Sequence, residues 1–558
     1  MRILSINFGH HSSLCVYNEG SVEHYFLTER FTKVKYDSRV ELVMPKFFEL
    51  NLKIDYILIT FCYDIDAVAE EVINNPKVKN SFQKFFNKFF NQYAKSYDNK
   101  PEILFNFDHH AAHAHISFYN SGFDKSLVVV VDGHGGFVSD DLTEVESLYE
   151  FSLDEYKLLY KNVVPNPNPY DDIWLRKNTY SHEKYDCKNT ISIGILYDIA
   201  SILTGNTEHE CGKAMGLSSY GEENKMFKNL FLDKNTFNSE FFSSCDKELK
   251  KFLSIPEKNI SKQNYKQYAD FCYEVQIQTQ KAVGDLIEDG IKKTGIKKVC
   301  ISGGYGMNIV SNYYYLNRFP DVEFYFEPLC NDSGISIGFA IQEYKKLKKT
   351  IKHNRPTNTS FHGFLYNVSK HKGKTAQIKD IANLLNQDKS IAIYTGFAEA
   401  GQRALGNRSI VFNALNPNAK DIVNKIKKRE WYRPFAAIVL EEDANIYFDM
   451  GRIKSSPFMT ICFPVKSEYT KVIPGVTHVD NTSRIQTVSK SDGYLYDLLQ
   501  EFKKLTGHGI LLNTSFNLAG EPLVETPEDA FNTLNNSCLD YLWFEETNQL
   551  FQKKITYV

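Results

Sequence analysis

Residues 109–135 read HHAAHAHISFYNSGFDKSLVVVVDGHG. His109 and His113 are four residues apart, a spacing that on a helix stacks both imidazoles on one face, about one turn apart. Leu127 to Val131 is a run of branched apolar residues and reads as a fully buried strand. Asp132 follows at the carboxyl end of that strand, where α/β proteins place their ligands. Two neutral imidazoles and a carboxylate meeting there would hold a divalent metal. In the competing reading the histidines satisfy backbone groups at a helix end. His110 and His115 are expected only to pack.

The same pattern continues outward from this stretch. Residues 1–25 read as strand, Gly-containing turn, strand, and residues 55–62, 126–131, 297–302 and 323–326 as further buried strands. A helical stretch at 269–294 intervenes, and strands alternating with helices argue an α/β architecture. Phe82, Phe85, Phe86, Phe89, Phe90 and Tyr93 form a stripe at helical spacing, which predicts core packing rather than base stacking. The run EYKKLKKTIKHN and the Pro/Asn/Ser/Thr stretch after it suggest a linker at 351–375. The expected domains are therefore 1–350 and 376–558.

With 558 residues, 42% of them hydrophobic, the chain is long enough for two or more cores. A net charge of −3 excludes a global basic field for unspecific nucleic-acid binding but leaves a local basic cleft open. The ten cysteines show no CxxC, which predicts free thiols in a reducing compartment. Asn7 and His10 interrupt the amino terminus before a signal-peptide core could form, and no apolar run approaches the roughly 20 residues needed to span a bilayer. A cytoplasmic protein without membrane contact is the expectation.

Three Gly-bearing turns end buried strands: Asn7–Ser13 with Gly9, Asp132–Gly136 with Gly133, Gly135 and Gly136, and Ser302–Asn308 with Gly303 and Gly304. Such backbone lets amides approach an anion closely. Their order resembles the actin/sugar-kinase/Hsp70 type of ATPase fold, in which two related halves close over a nucleotide. Asp332, in Glu327–Gly334, could cap a helix or could complete the metal shell with His109, His113 and Asp132. Two histidines and two carboxylates suit Fe(II), Zn(II) or Mn(II).

The second domain carries GQRALGNRS (401–409), KKREWYRPF (427–435), THVDNTSRIQ (477–486) and LNTSFN (512–517). Arg403, Arg408, Lys428, Arg429, Arg433 and Arg484 could converge on a compact anion, since guanidinium forks bind phosphate oxygens in pairs. Surface salt bridges are the bland alternative. Their setting among Gly, Pro, Trp and Phe favours anion binding.

These motifs, together with GHHSS, HHAAHA, VVVDGHGG, CGKAMGLSSYG (211–221), SGGYGMN and NDSG, resemble the O-carbamoyltransferases of the nodulation-factor and antibiotic type, the NodU/CmcH family. The resemblance runs over nearly the full length. It implies a first domain of the threonylcarbamoyl-adenosine (ASKHA) type and a YrdC-like second domain that makes carbamoyl adenylate from carbamoyl phosphate and ATP with Mg. Carried over, Arg403, Arg408, Lys428, Arg433, Arg484 and Asn513 would hold the phosphates and the carbamoyl group. Gly133, Gly135, Gly136, Lys213, Gly303, Gly304 and Asn308 would line the nucleotide side of the first domain. Fe(II) at His109, His113, Asp132 and Asp332 would polarise the carbamoyl group. His10 matches the histidine of the family's GHDxS turn and is the candidate general base. His11 stands where the family usually has Asp.

The implied product is a carbamate ester on an acceptor hydroxyl, of a sugar or antibiotic-type small molecule or of a hydroxymethylated DNA base. Two other readings remain at this level. One is a sugar-kinase-type ATPase, marked by ADP as product. The other is a non-catalytic nucleic-acid-associated protein, marked by a steep salt dependence of binding.

Overall fold

The computed structural model describes residues 1–61, 88–89, 91–93, 95, 100–139, 142–165, 191–234, 236–238, 252, 260–348, 360–401 and 403–553. They form two compact units. One comprises residues 1–28 and 36–357, the other 29–35 and 358–558.

The first unit holds two sheets of the same topology. In one, β1 (Arg2–Phe8), β2 (Ser13–Asn18), β3 (Ser21–Leu27), β4 (Tyr56–Phe61) and β5 (Glu102–Asn106) lie in the order β3-β2-β1-β4-β5. The first three are antiparallel, and β4 and β5 run parallel to β1. In the other, β6 (Lys125–Val131), β8 (Leu142–Ser152), β9 (Tyr156–Pro165), β12 (Lys298–Ser302) and β13 (Glu323–Phe326) repeat that order and those directions. The short β7 (Phe137–Ser139) also pairs with β8, and β10 (Phe231–Asp233) with β11 (Thr236–Phe237) makes a separate ribbon. This duplicated half is the actin/sugar-kinase/Hsp70-like plan.

The plan sets where the loops fall. Because β6 and β12 are parallel neighbours, with Val130 opposite Ser302, the loops after them emerge side by side. The His109–Ser121 helix leads into β6. Asp108 caps it by accepting from Ala111 N, and Gly122 ends it in the left-handed region at φ 68°. Nearly every residue of this helix is buried, including the polar face that carries His109 and His113. It crosses the Ile335–Lys348 helix at Gly338, where a Cβ would collide with the Ala112 carbonyl. Of the aromatic stripe, Phe89 and Tyr93 are buried, with Tyr93 Oη bridging Ile54 N and O; Phe82, Phe85, Phe86 and Phe90 lie outside the described residues.

The second unit is built on one nine-stranded mixed sheet. Its strands are β14 (Lys374–Thr375), β15 (Ile391–Tyr394), β16 (Arg408–Asn413), β17 (Ala436–Leu440), β18 (Cys462–Pro464), β19 (Thr482–Val488), β20 (Ile510–Ser515), β21 (Tyr541–Phe544) and β22 (Gln549–Gln552). They run in the order β14-β22-β21-β15-β16-β20-β17-β19-β18. Inward-facing residues build two cores, one around Leu385, Leu499, Phe502 and Trp543, the other around Val368, Phe516, Leu534 and Phe544. Residues 29–35, far away in sequence, join this unit: buried Arg30 donates to the carbonyls of Glu399 (3.0 Å) and Gly401 (2.6 Å), and Lys33 pairs with Asp529. Among the described residues no helix is long and apolar enough to cross a membrane.

Candidate metal centre and anion site

His109 and His113 point their Nε2 atoms at one another across 3.1 Å, as their four-residue spacing on the helix dictates. Asp132 arrives from the end of β6 and Asp332 from the 3-10 turn Asp332–Gly334 that opens the Ile335–Lys348 helix. Asp132 Oδ2 lies 3.5 and 3.3 Å from the two imidazoles, and Asp332 Oδ1 3.4 and 3.2 Å. All four ligand atoms fall within 4.8 Å of one another and all four residues are buried. Asp332 therefore spends its side chain on this cluster rather than on a helix cap.

The arrangement fits a divalent ion. Ligands about 2.1 Å from one ion lie about 3.0 Å apart in an octahedron and about 3.4 Å apart in a tetrahedron, and the observed His–His and His–Asp separations are 3.1–3.5 Å. Asp132 is held in place: its Oδ1 accepts from the amides of Gly133 (2.8 Å) and Gly304 (3.3 Å), while the buried Oδ2 has no hydrogen-bond partner among the described residues. Burial works to raise the Asp132 and Asp332 carboxyls, but the imidazoles outweigh it and hold both well below the carboxylate range. Two carboxylates and two neutral imidazoles are a donor set for a borderline divalent metal.

The glycine loops are placed differently from the phosphate nests expected of them. The anion that the Gly133 and Gly304 amides meet is Asp132. Gly136 N donates to Glu144 Oε1 at 3.3 Å, and Gly135 N to the Glu144 carbonyl at 2.8 Å. Gly303 makes its turn at φ 82° against Val131. Asn308 caps the Ile309–Arg318 helix through Oδ1, and its amide nitrogen joins Tyr197 and Gln276 in a buried network. Lys213 pairs with Glu210 at 2.8 Å and donates to Asn206.

His10 sits beside the metal cluster on the β1–β2 turn, with Nε2 2.9 Å from Asp332 Oδ2 and a side chain 40% exposed. Burial lowers its proton affinity, and the charge and hydrogen bond of Asp332 more than restore it. His209 stacks on His10 at 4.9 Å, and Tyr36 packs edge-on to His11 at 4.8 Å. Burial pushes His11 down to about 3, so this imidazole is neutral. His110 is anchored by Nδ1 to Ser147 Oγ (2.8 Å) and His115 by Nδ1 to the Ala111 carbonyl (2.7 Å).

Sequence reasoning missed Glu144. This carboxylate from β8 accepts from His110 N (2.9 Å) and Gly136 N and pairs with Lys161 of β9, so it ties the helix carrying His109 to the Gly loop beside Asp132. Burial would raise it, but His110 and Lys161 bring it to about 2. Nothing short-range marks it: it is one acid in a strand of mixed residues.

In the second unit the arginines divide into two groups. Burial and mutual repulsion depress Arg429, beside Arg433 and Arg484, and bring Arg484, beside Arg403 and Arg433, to about 9. Arg433 has Glu430 at 3.5 Å. The loop that carries Arg403 is wrapped around Glu399, whose Oε1 accepts from the amides of Leu405, Asn407 and Arg408. Asn513 donates to the Ala404 carbonyl at 2.9 Å and keeps a buried Oδ1 without a partner among the described residues.

Arg408 is not part of this group. It is wholly buried, lies 3.6 Å over the Tyr394 ring and donates to the carbonyls of Thr395 and Asn407. Lys428 is exposed in the left-handed C-cap of the Ala419–Lys427 helix, at φ 52°. Its neighbour Lys427 is the buried one, donating to Ser515 and Asn517, and its proton affinity falls through burial and then through Arg429, Arg433 and Lys35. Helix phase could have found it, since Ala419, Val423, Ile426 and Lys427 share one buried stripe. Lys35, in the 29–35 segment, carries no sequence signal for this placement.

A duplicated actin-like unit with a buried His₂Asp₂ cluster, and a second unit with a cluster of arginines, define a protein of two candidate centres. Residues 2–341 match the carbamoyltransferase N-terminal domain and residues 382–551 the carbamoyltransferase C-terminal domain, so the chain belongs to that family and is a carbamoyltransferase. It is similar to nodulation protein NolO of Bradyrhizobium diazoefficiens, 29% identical over 468 residues that cover 78% of this chain and 77% of that one. It is also similar to nodulation protein U of Rhizobium tropici, 34% identical over 255 residues, 45% of this chain and 43% of that one. A third relative, the uncharacterized protein MJ1051 of Methanocaldococcus jannaschii, is 27% identical and covers 97% of this chain and 98% of its own. Among solved structures it is similar to full-length HypF in its phosphate- and nucleotide-bound form, with a TM-score of 0.38, 14% identity and coverage of 62% of this chain and 56% of that one.

Proposed function

We propose that the chain is an O-carbamoyltransferase working in two steps. In the second, YrdC-like unit, water cleaves carbamoyl phosphate to carbamate and inorganic phosphate, and the carbamate oxygen attacks the α-phosphorus of Mg-bound ATP to give carbamoyl adenylate and pyrophosphate. In the first, the carbamoyl group passes to an acceptor hydroxyl and AMP is released. The observation that carries this reading is the pairing of opposite sites within one chain of this family: a buried cluster of two imidazoles and two carboxylates and a cluster of arginines in which burial and neighbouring guanidiniums depress Arg429 and Arg484.

Arg403, Arg433 and Arg484, with Arg429 and Lys427, would hold the phosphate oxygens of both substrates, and Asn513 Oδ1 is free to accept from the carbamoyl NH₂. Neutralising these cations is itself a source of binding energy, since each otherwise stands beside its like in a desolvated site. His109, His113, Asp132 and Asp332 would hold a divalent metal, for which Fe(II) is our assignment, and the bound ion would polarise the carbamoyl carbonyl. Gly133 and Gly304 fix Asp132, and Glu144 fixes the helix of His109 and His113 against the loop. His10, held on Asp332, keeps that carboxylate oriented. The acceptor is a sugar or antibiotic-type hydroxyl, with a hydroxymethylated DNA base as the second class.

The test is carbamoyl-phosphate-dependent exchange of pyrophosphate into ATP. The protein should show it, and Arg403→Ala should abolish it. ATP turnover that ignores carbamoyl phosphate, or that yields ADP, contradicts the proposal.

A further inference from the structure

We propose that Asp198 is the general base of carbamoyl transfer, a catalytic carboxylate outside the metal ligand set. The inference rests on the two-step reading above and adds the group that takes the acceptor's proton.

The Ile193–Leu203 helix is seated on the loop after β6. Its cap Ser192 accepts from Ile195 N and donates through Oγ to the Gly133 carbonyl at 3.0 Å, and at Gly194 a Cβ would collide with the Asp132 carbonyl. Asp198 lies four residues beyond Gly194 and so shares that face. Its Oδ2 comes within 3.0 Å of where a Cβ would stand on Gly133, next to Asp132. The carboxyl is half-buried. Oδ1 accepts from Cys211 Sγ at 3.0 Å, whereas Oδ2 has no partner among the described residues.

The other acid–base groups of the centre each have a neighbour of their own, His209 being stacked on His10 with its own Nε2 3.7 Å from Glu208. Asp132 and Asp332 face the imidazoles, His10 Nε2 faces Asp332, and His11 is buried against Tyr36. Burial pushes Asp198 up to about 8, with Asp132 and Glu208 adding and the Cys211 hydrogen bond and His10 opposing. A carboxylate of that proton affinity is a far stronger base than an ordinary aspartate and is still available near neutral pH. Burial and the neighbouring Asp198 keep the Cys211 thiol protonated, so it remains a donor to Oδ1.

The step balances. The acceptor oxygen forms a bond to the carbamoyl carbon as the bond from that carbon to the adenylate oxygen breaks. AMP leaves with the electron pair. The hydroxyl proton moves to Asp198 Oδ2 and is then lost to water. Because the carboxylate is the active form, transfer should rise with pH up to about 8 and level above it.

The experiment compares two readouts on the full chain: pyrophosphate exchange into ATP, and carbamoyl-phosphate-dependent AMP release with glycerol as the acceptor probe. Asp198→Asn should keep exchange, lose AMP release by roughly 10²- to 10⁴-fold, and lose the rise toward pH 8. Formate should restore part of the rate to Asp198→Ala. Cys211→Ala should move the rise to higher pH, and Cys211→Ser should not. Unchanged AMP release and pH profile in Asp198→Asn overturns the proposal, and so does an equal loss of exchange, which would make the residue structural. A wild-type protein without exchange would instead remove the two-step reading.

Discussion

In the first unit, two carboxylates close on two imidazoles, with both glycine-loop amides turned onto Asp132. In the second, burial and then neighbouring guanidiniums lower the proton affinity of Arg429, beside Arg433 and Arg484, and of Arg484, beside Arg403 and Arg433, with Lys427 and Lys35 nearby. The first collects negative oxygens that a cation would satisfy, and the second collects cations that a polyanion would satisfy. Crowding like charges in a buried place costs stability, and in each centre a ligand of opposite sign would relieve it. On the proposed reading each centre takes a partner of opposite sign, and the two should respond to different ligands.

The contrast breaks most readily at the first centre. His113→Ala should lower the affinity for Zn(II) or Co(II), read by calorimetric titration, by more than the roughly 10- to 100-fold that loss of a supporting partner costs elsewhere. Arg484→Met should weaken pyrophosphate exchange about tenfold or more, mainly through KM, while leaving the unliganded fold as stable or more so. Inorganic phosphate should raise the Tm of the wild type more than that of Arg484→Met, and Zn(II) should raise both equally. Glu144→Gln leaves Lys161 buried without its counter-charge and should cost about 3 kcal/mol in urea unfolding, part of it recovered by adding Lys161→Met. The smallest effect is expected at Lys428→Ala, within about 0.5 kcal/mol of wild type, because that side chain is exposed while Lys427 is buried.

What the sequence makes legible is what local periodicity controls. The four-residue spacing of His109 and His113, the apolar run before Asp132 and the glycines that end β6 and β12 are all short-range signals, and each sits where its signal puts it. Asp332 is different: some 200 residues away, it is brought in by the pairing of parallel strands, and from spacing alone a helix cap was an equal reading. Arg408 and Lys428 show the limit in the second unit. In a motif dense with cations, charge alone does not tell which side chain turns inward. Arg408 is absorbed by Tyr394 and backbone carbonyls, and a left-handed C-cap turns Lys428 out and leaves Lys427 in. Glu144, Asp198 and the docking of residues 29–35 depend on contacts between distant strands and helices, for which one sequence carries no local trace.

The central claim is that activation and transfer are carried by separate centres of one chain. Pyrophosphate exchange into ATP, driven by carbamoyl phosphate, measures activation alone and should be compared in His113→Ala and Arg484→Ala at matched folded fraction. The account predicts that His113→Ala exchanges at the wild-type rate while Arg484→Ala does not. Loss of exchange in a folded His113→Ala protein, or its survival in Arg484→Ala, would contradict it.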